Sequence, residues 1–361
     1  MNRLVDIFLR WRGHAVAFHT DVQKMYNSVR LDKTHWALQR YLWEESLDPN
    51  RPPEQKVIKT LIYGVKSSGN QAERCLRETA KLSQDDHPDI NEIVSKDIYV
   101  DDCLSGAESL PKVINIADQL ESVVNNGGFS LKGFTFSGQD PSESLSKDGH
   151  SVSVAGLKWH PKDDTLSIDV QELNFAKKHR GRKPTQISSV PVNLTRRQCS
   201  SKLGELYDIT GIVTPFIATM KIDLHQLVMR KMDWDDVLPD SLRNLWVSHF
   251  QMMNEIKDIQ YQRAIIPEDA INLDIQTLDF GDASEELSCA AIYVRFKLKN
   301  GSFSCQLIFA RSRISEEPTQ PRGELVAALL NSHTGQIVKR AFGDRHKSSI
   351  KFTDSQTHFT G

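Results

Sequence analysis

The sequence predicts an α+β protein, and three observations do so. Short β-branched and aromatic runs end in carboxylates at Asp21, Asp101-Asp102, Asp282 and Asp354. Between them lie segments whose apolar residues recur at helical spacing, most clearly over 110–126. Asn300-Gly301 separates two further strand-like runs, a strong hairpin signal. A chain of 361 residues is long enough for two or three domains with a full core.

Composition narrows the function classes. Hydrophobic content of 39% and charged content of 25% are ordinary for a soluble globular protein. The formal net charge of −2 averages over uneven pieces. Cys75, Cys103, Cys199, Cys289 and Cys305 are scattered and form no Cys-x-x-Cys pair, so neither a zinc site nor a disulfide framework is expected. A reducing intracellular setting fits. No apolar run approaches membrane-spanning length and the N-terminus lacks a signal-peptide layout, so no membrane partner is expected.

Taken in order, residues 15–20 read as a strand closed by Asp21, which alone reads equally well as a helix N-cap. Residues 34–47 carry Trp36, Leu38, Tyr41, Leu42 and Trp43 and are expected to pack in the core; Pro49, Pro52 and Pro53 break the segment. A loop follows, Tyr63-Gly64-Val65-Lys66-Ser67-Ser68, whose small residues let a ligand approach the backbone. It runs into a helix over 70–83, with Ala72, Cys75, Leu76, Thr79, Ala80 and Leu82 inward.

Asp97-Ile98-Tyr99-Val100-Asp101-Asp102-Cys103 reads as strand, tight turn, strand, with two acids at the turn. At roughly 4 Å and an effective dielectric near 20, two such charges repel by about 4 kcal/mol, so the pair calls for a cation. A divalent metal that also binds phosphates suits it. The Asp-Asp pairs at 85–86, 163–164 and 235–236 read as solvated turns, because only 101–102 follows an Ile-Tyr-Val run. The helix over 110–126 turns Val113, Ile114, Ile116, Ala117, Leu120, Val123 and Val124 inward and ends at Gly127-Gly128. Strands are expected over 129–136 and 152–159, a loop over 137–150, and a returning strand over 166–170.

Residues 173–204 contain Lys177, Lys178, Arg180, Arg182, Lys183, Arg196, Arg197 and Lys202 and no acid. Such a run is either a solvated linker or a surface for nucleic-acid phosphates. Helices are expected over 203–209, 216–229 and 242–261. Next comes a strand ending in Asp282, then strands over 290–299 and 303–310. A helix from Pro321 carries Glu324, with Leu325, Ala328 and Leu329 on its apolar face, and a strand over 350–353 ends at Asp354.

This order resembles the palm of a reverse transcriptase and, more narrowly, the polyprotein of BEL/Pao-type LTR retrotransposons. The resemblance is carried by Thr20-Asp21-Val22-Gln23-Lys24-Met25-Tyr26, by Tyr63 to Ser68 and by Tyr99-Val100-Asp101-Asp102, with Arg40-Tyr41-Leu42-Trp43 between the first two. Gly69 departs from the family, which often has proline there. Leu206-Tyr207-Asp208, Gly211, Pro215 and Asp233-Trp234-Asp235-Asp236 resemble the segment joining polymerase to RNase H, often named a peptidase. Asp208-Ile209-Thr210-Gly211 looks like an aspartic-protease loop, but no second such loop is present and proteolysis is not expected. The ordered acids Asp282, Glu324 and Asp354 resemble those of the RNase H fold.

The resemblance implies a reverse-transcriptase palm over 1–172 with its fingers truncated, a basic linker and helical thumb or connection over 173–270, and a C-terminally truncated RNase H-like domain over 271–361. It implies RNA-directed DNA polymerase activity with partial RNase H. Asp21, Asp101 and Asp102 would hold two Mg²⁺ ions, as would Asp282, Glu324 and Asp354, with Mn²⁺ able to substitute. Tyr26 would gate against the ribose 2′-hydroxyl, its other reading being a half-buried core tyrosine. Gly64, Ser67 and Ser68 would line the substrate site, and the basic run would hold template–primer phosphates. The implied partners are RNA template, DNA primer, RNA–DNA hybrid, dNTPs and other polyprotein products. The implied location is the element's cytoplasmic particle or the nucleus. The alternative reading is a catalytically decayed nucleic-acid-binding remnant of the same polyprotein.

Overall fold

The computed structural model describes residues 2–44, 52–170, 172–176, 188–315 and 319–354, and among these described residues there are four sheets and nine α-helices. Helix α1 (Leu4–Arg12) leads into strand β1 (Val16–Asp21). A single turn, α2 (Met25–Ser28), and a 3₁₀ helix over Lys33–Gln39 follow. Strands β2 (Arg40–Trp43) and β3 (Glu54–Val57) pair as an antiparallel ribbon. Of the segment 34–47 expected to pack in the core, the described residues form the 3₁₀ helix and the first strand of this ribbon instead, and 45–47 lie outside the described residues. All four β2 residues are exposed, and Leu38 is 82% exposed, because nothing among the described residues covers it.

Helix α3 (Ser68–Leu82) begins two residues earlier than the spacing predicts. Ala72, Leu76 and Ala80 are buried as expected, whereas Cys75 and Leu82 face solvent: the buried stripe runs at i, i+4, i+8 and leaves them outside it. Helix α4 (Pro88–Lys96), with proline in its first turn, precedes β4 (Ile98–Tyr99) and β5 (Asp102–Ala107). Helix α5 (Leu110–Asn126) buries Val113, Ile116, Ala117, Leu120, Val123 and Val124. Only Thr135–Phe136 (β6) of the strand expected over 129–136 is regular. The first sheet has the order β4-β5-β1-β6, and α3, α4 and α5 pack with it around Phe18, Leu76, Ile90 and Leu120.

The strand expected over 152–159 is two strands, β7 (Val152–Val154) and β8 (Leu157–His160). Ala155 and Gly156 between them have φ of 50° and 80°, a two-residue turn of the kind that suits hairpin twist. Strand β9 (Thr165–Ile168) pairs with β8 as expected. Helices α6 (Arg196–Glu205), α7 (Thr214–Met229) and α8 (Asp240–Ile256) gather around Met220, Trp246 and Phe250. The helix expected to reach 261 stops at Ile256. Residues 260–262 form β10 (Gln260–Gln262), which pairs with β9 and completes a sheet of order β10-β9-β8-β7.

The last sheet is β13-β12-β11-β14: β11 (Ile275–Ala283), β12 (Leu287–Lys297), β13 (Phe303–Ile314), then helix α9 (Gln320–Phe342), then β14 (His346–Phe352) parallel to β11. The face of α9 assigned from sequence is wrong. Leu325 and Leu329 are more than half exposed, and the buried positions are Gly323, Glu324, Ala327, Asn331, Thr334 and Val338. Close approach explains this. A Cβ at Gly281 would sit 2.9 Å from Asn331 Cβ, and one at Gly335 would sit 2.7 Å from Asp279 Oδ2. The helix lies too near the sheet for leucines.

Helix α1 joins the parts. Its Leu9 is buried with Ile275, Val338 and Phe342, its Ile7 and Trp11 with Trp159 and Leu166, and Asp6 accepts two hydrogen bonds from Arg340 at 2.7 and 2.8 Å. Asp164 is no solvated turn residue. It takes a two-pronged contact from fully buried Arg263 at 2.7 Å, and Trp159 Nε1 donates to it at 3.0 Å. Arg263 also donates to the carbonyls of Trp11, His14 and Ala15. No helix among the described residues is long and apolar enough to cross a membrane.

Candidate functional site

The acid turn is built by antiparallel register. β1 and β5 pair residue for residue, so Asp21 lies directly opposite Asp102. Asp101 sits in the turn, and its carbonyl accepts from Val22 N–H at 2.8 Å. Val100 in the same turn has φ of 57°, a left-handed conformation that a β-branched residue adopts only under constraint. Asp102 Oδ1 is 3.1 Å from Nε2 of buried His19. Burial first, then the charges of Asp21 and Asp102, push the Asp101 carboxyl above its ordinary value.

A residue that sequence reasoning missed completes this cluster. Lys132 Nζ lies 2.8 Å from Asp21 Oδ1. The contact and the charges of the three acids hold the Lys132 ammonium above its ordinary pKa. Only the general need of an acid pair for a cation pointed to such a residue, and nothing in residues 129–136 marks which cation. Tyr26 is half-buried, its ring 4.5 Å from that of exposed Tyr63 at an angle of 58°. Gly64 has φ of 90° with open space where a side chain would begin, Ser68 is buried, and Ser67 precedes α3.

The second acid group forms from three elements. Asp282 lies near the end of β11, Glu324 in the first turns of α9, and Asp354 two residues beyond β14. The parallel register places Phe280 opposite Phe352, and carrying it two residues further puts Asp282 beside Asp354. Gln320 Nε2 donates to Ala283 O at 2.8 Å and to Glu324 Oε1 at 2.9 Å, tying the start of α9 to the end of β11. One carboxylate oxygen from each acid lies within 4.8 Å of the other two. Glu324 Oε2 is buried without a hydrogen-bond partner. A hard divalent cation fits an all-carboxylate set with an unpartnered oxygen. Among the described residues this is the only trio so closely gathered; Asp21, Asp101 and Asp102 are adjacent but wider apart.

Other sequence expectations fare differently. Lys177, Lys178, Arg180, Arg182 and Lys183 lie outside the described residues. Arg196 is engaged within the chain, donating to Met232 O at 2.6 Å with its guanidinium over Trp234. Arg197 grips Asp235 at 2.8 and 2.9 Å, and Lys202 is buried against Glu205. Asp208 accepts hydrogen bonds from the backbone of Thr210, Gly211 and Val213, which makes it a turn former at the entrance to α7.

Part of the chain is similar to a known family, and the whole of it to solved structures. Residues 195–355 match the family model described as "Pao retrotransposon-like RNaseH-like domain". No curated protein sequence matches the chain. Among solved structures, foamy viral protease-reverse transcriptase in complex with RNA/DNA hybrid aligns with a TM-score of 0.55 and 13% identity, over 99% of this chain and 41% of that one. The same viral protein's "dRH" form, in complex with double-stranded DNA, aligns with a TM-score of 0.57 and 13% identity, over 100% of this chain and 54% of that one. A third such structure, with double-stranded DNA, aligns over 64% of its own length. At this identity the likeness is one of fold, and the chain spans between 41 and 64% of the length of these solved chains. The chain thus shares its fold with these reverse-transcriptase structures, and its residues 195–355 are similar to a Pao retrotransposon-like RNaseH-like domain.

Proposed function

We propose that this chain copies RNA into DNA at the Asp21 cluster and cuts the RNA strand of the resulting hybrid at the Asp282 cluster. The carrying observation is that one chain gathers two separate carboxylate groups at strand ends: Asp21 in register with Asp102, and Asp282, Glu324 and Asp354 within 4.8 Å. Structures aligned with it hold RNA/DNA hybrid and double-stranded DNA, which supports nucleic acid as the partner. On this reading residues 1–172 are palm, 173–270 thumb or connection, and 271–361 RNase H-like domain, working in the element's particle.

Mg²⁺ at either acid group, or Mn²⁺ in its place, would acidify the attacking oxygen, a primer hydroxyl in one site and water in the other, and neutralise phosphate charge. The chain's own residues do the positioning. The β1–β5 register fixes Asp21 against Asp102, His19 orients Asp102, and the hydrogen bonds of Gln320 fix Glu324. Tyr26, braced by Tyr63, is placed to close against a ribose 2′-hydroxyl beside the small-residue loop of Gly64, Ser67 and Ser68. Primer extension on an RNA template with Mg²⁺ tests the polymerase half: the chain extends a DNA primer, and Asp101→Asn does not.

A specific observation favours the second reading, a non-catalytic remnant that still binds nucleic acid. Lys132 holds Asp21, and the three upstream acids are not gathered as tightly as the downstream trio. Hybrid binding without extension by the unsubstituted chain would establish it.

A further inference from the structure

We propose that Lys132 is a built-in counter-ion of the Asp21 cluster, exchanged for a divalent cation when the site fills. The proposal rests on the reading of that cluster as a metal site.

Lys132 is placed by backbone, not by chance. Gln23 N–H donates to Ser130 O at 2.7 Å, Val22 bridges Leu131, and Lys132 N–H donates to Asp21 O at 2.9 Å. Segment 130–132 is thereby laid along the end of β1. Thr20 Oγ1 donates to Gly133 O at 2.7 Å, and Gly133 has φ of 97°, so the chain turns away directly after the lysine. The ammonium then reaches Asp21 Oδ1 at 2.8 Å, with Asp101 and Asp102 beside it.

Three carboxylates with no cation repel one another, and a lysine relieves this. It is a compact charge on a flexible stem, and its own side chain is 39% exposed, which leaves a path outward to water. A divalent cation offers two charges and coordinates oxygen, so it competes for the same Asp21 oxygen. Each cation weakens the other's hold, and the coupling is reciprocal. The metal-free site is therefore held in shape, and metal affinity is set lower than the acids alone would give.

Two measurements test this, both on the full chain carrying Asp282→Asn and Glu324→Gln to silence the other acid group. The first is Mn²⁺ binding followed by electron paramagnetic resonance. Lys132→Met should tighten binding by about 5-fold or more, the low end of ordinary coupling between sites, and Lys132→Arg should not. The second is acetylation of surface lysines read by mass spectrometry, in which labelling of Lys132 should rise on adding Mg²⁺ while other lysines stay level. Equal Mn²⁺ affinity with and without Lys132, or Lys132 labelling unmoved by Mg²⁺ that does bind, overturns the exchange alone. If neither Mn²⁺ nor Mg²⁺ binds at the Asp21 cluster with Lys132 present or replaced, the metal-site reading itself fails.

Discussion

At the scale of single residues, the Arg263 and Asp21 ion networks differ in kind. Arg263 is fully buried and its guanidinium is satisfied by Asp164 and three carbonyls. Removing one partner of such a pair strands the other charge, which costs about 3–5 kcal/mol. Asp164→Ala should lower unfolding free energy by that order in denaturant titration; a loss under about 1 kcal/mol would contradict the role given to the pair. Asp101 behaves oppositely. Its carboxyl is raised by burial and by Asp21 and Asp102, so the stability it contributes is complete below the unfolded-state value and is lost as pH rises through the folded one. Without metal at neutral pH, Asp101→Asn should therefore melt higher than the unsubstituted chain by calorimetry. An equal or lower melting temperature would show that the acids are not in tension.

At the scale of elements, His14 lies where α1 hands over to β1. Burial, then Arg263, Arg345 and Arg10, push its imidazole from 6.5 down to about 3. A depressed value contributes stability that is present above the unfolded pKa and is lost as pH falls from about 6.5 toward 3. His14→Gln should flatten the fall in stability across that window, and an unchanged pH profile would contradict the depressed imidazole. Helix α9 offers a second contrast. Gly335→Val must displace Asp279, whereas Leu325 is already more than half exposed, so Gly335→Val should destabilise by over 1 kcal/mol and Leu325→Ser by about 0.5 kcal/mol or less in denaturant titration.

The same helix shows where sequence legibility ends. Its start and its glutamate were readable from Pro321 in the first turn, but its inner face was not. Glycine, alanine and asparagine face the sheet because of a backbone separation that no single helix encodes. The 152–159 stretch failed for a local reason: Ala155 takes a left-handed turn that alanine does not advertise. Asp21, Asp101, Asp102, Asp282 and Asp354 were legible because each adjoins a β-branched or aromatic run, a feature written in adjacent residues. Lys132 and Arg263 were not, because their partners are distant in sequence: Asp21 in one case, Asp164 in the other.

At the scale of the whole molecule, α1 packs against α9 and against the β7–β10 sheet, so the two acid groups belong to one connected body. They nevertheless share no residue. The central claim is that two independent acid sites act on one nucleic acid, and a doubly labelled RNA template–DNA primer tests it most directly, with primer extension and RNA cleavage read in the same Mg²⁺ reaction. The account predicts that Asp101→Asn abolishes extension and keeps cleavage of a preformed hybrid, while Asp282→Asn does the reverse. Loss of both activities in either variant, or of neither, would contradict it.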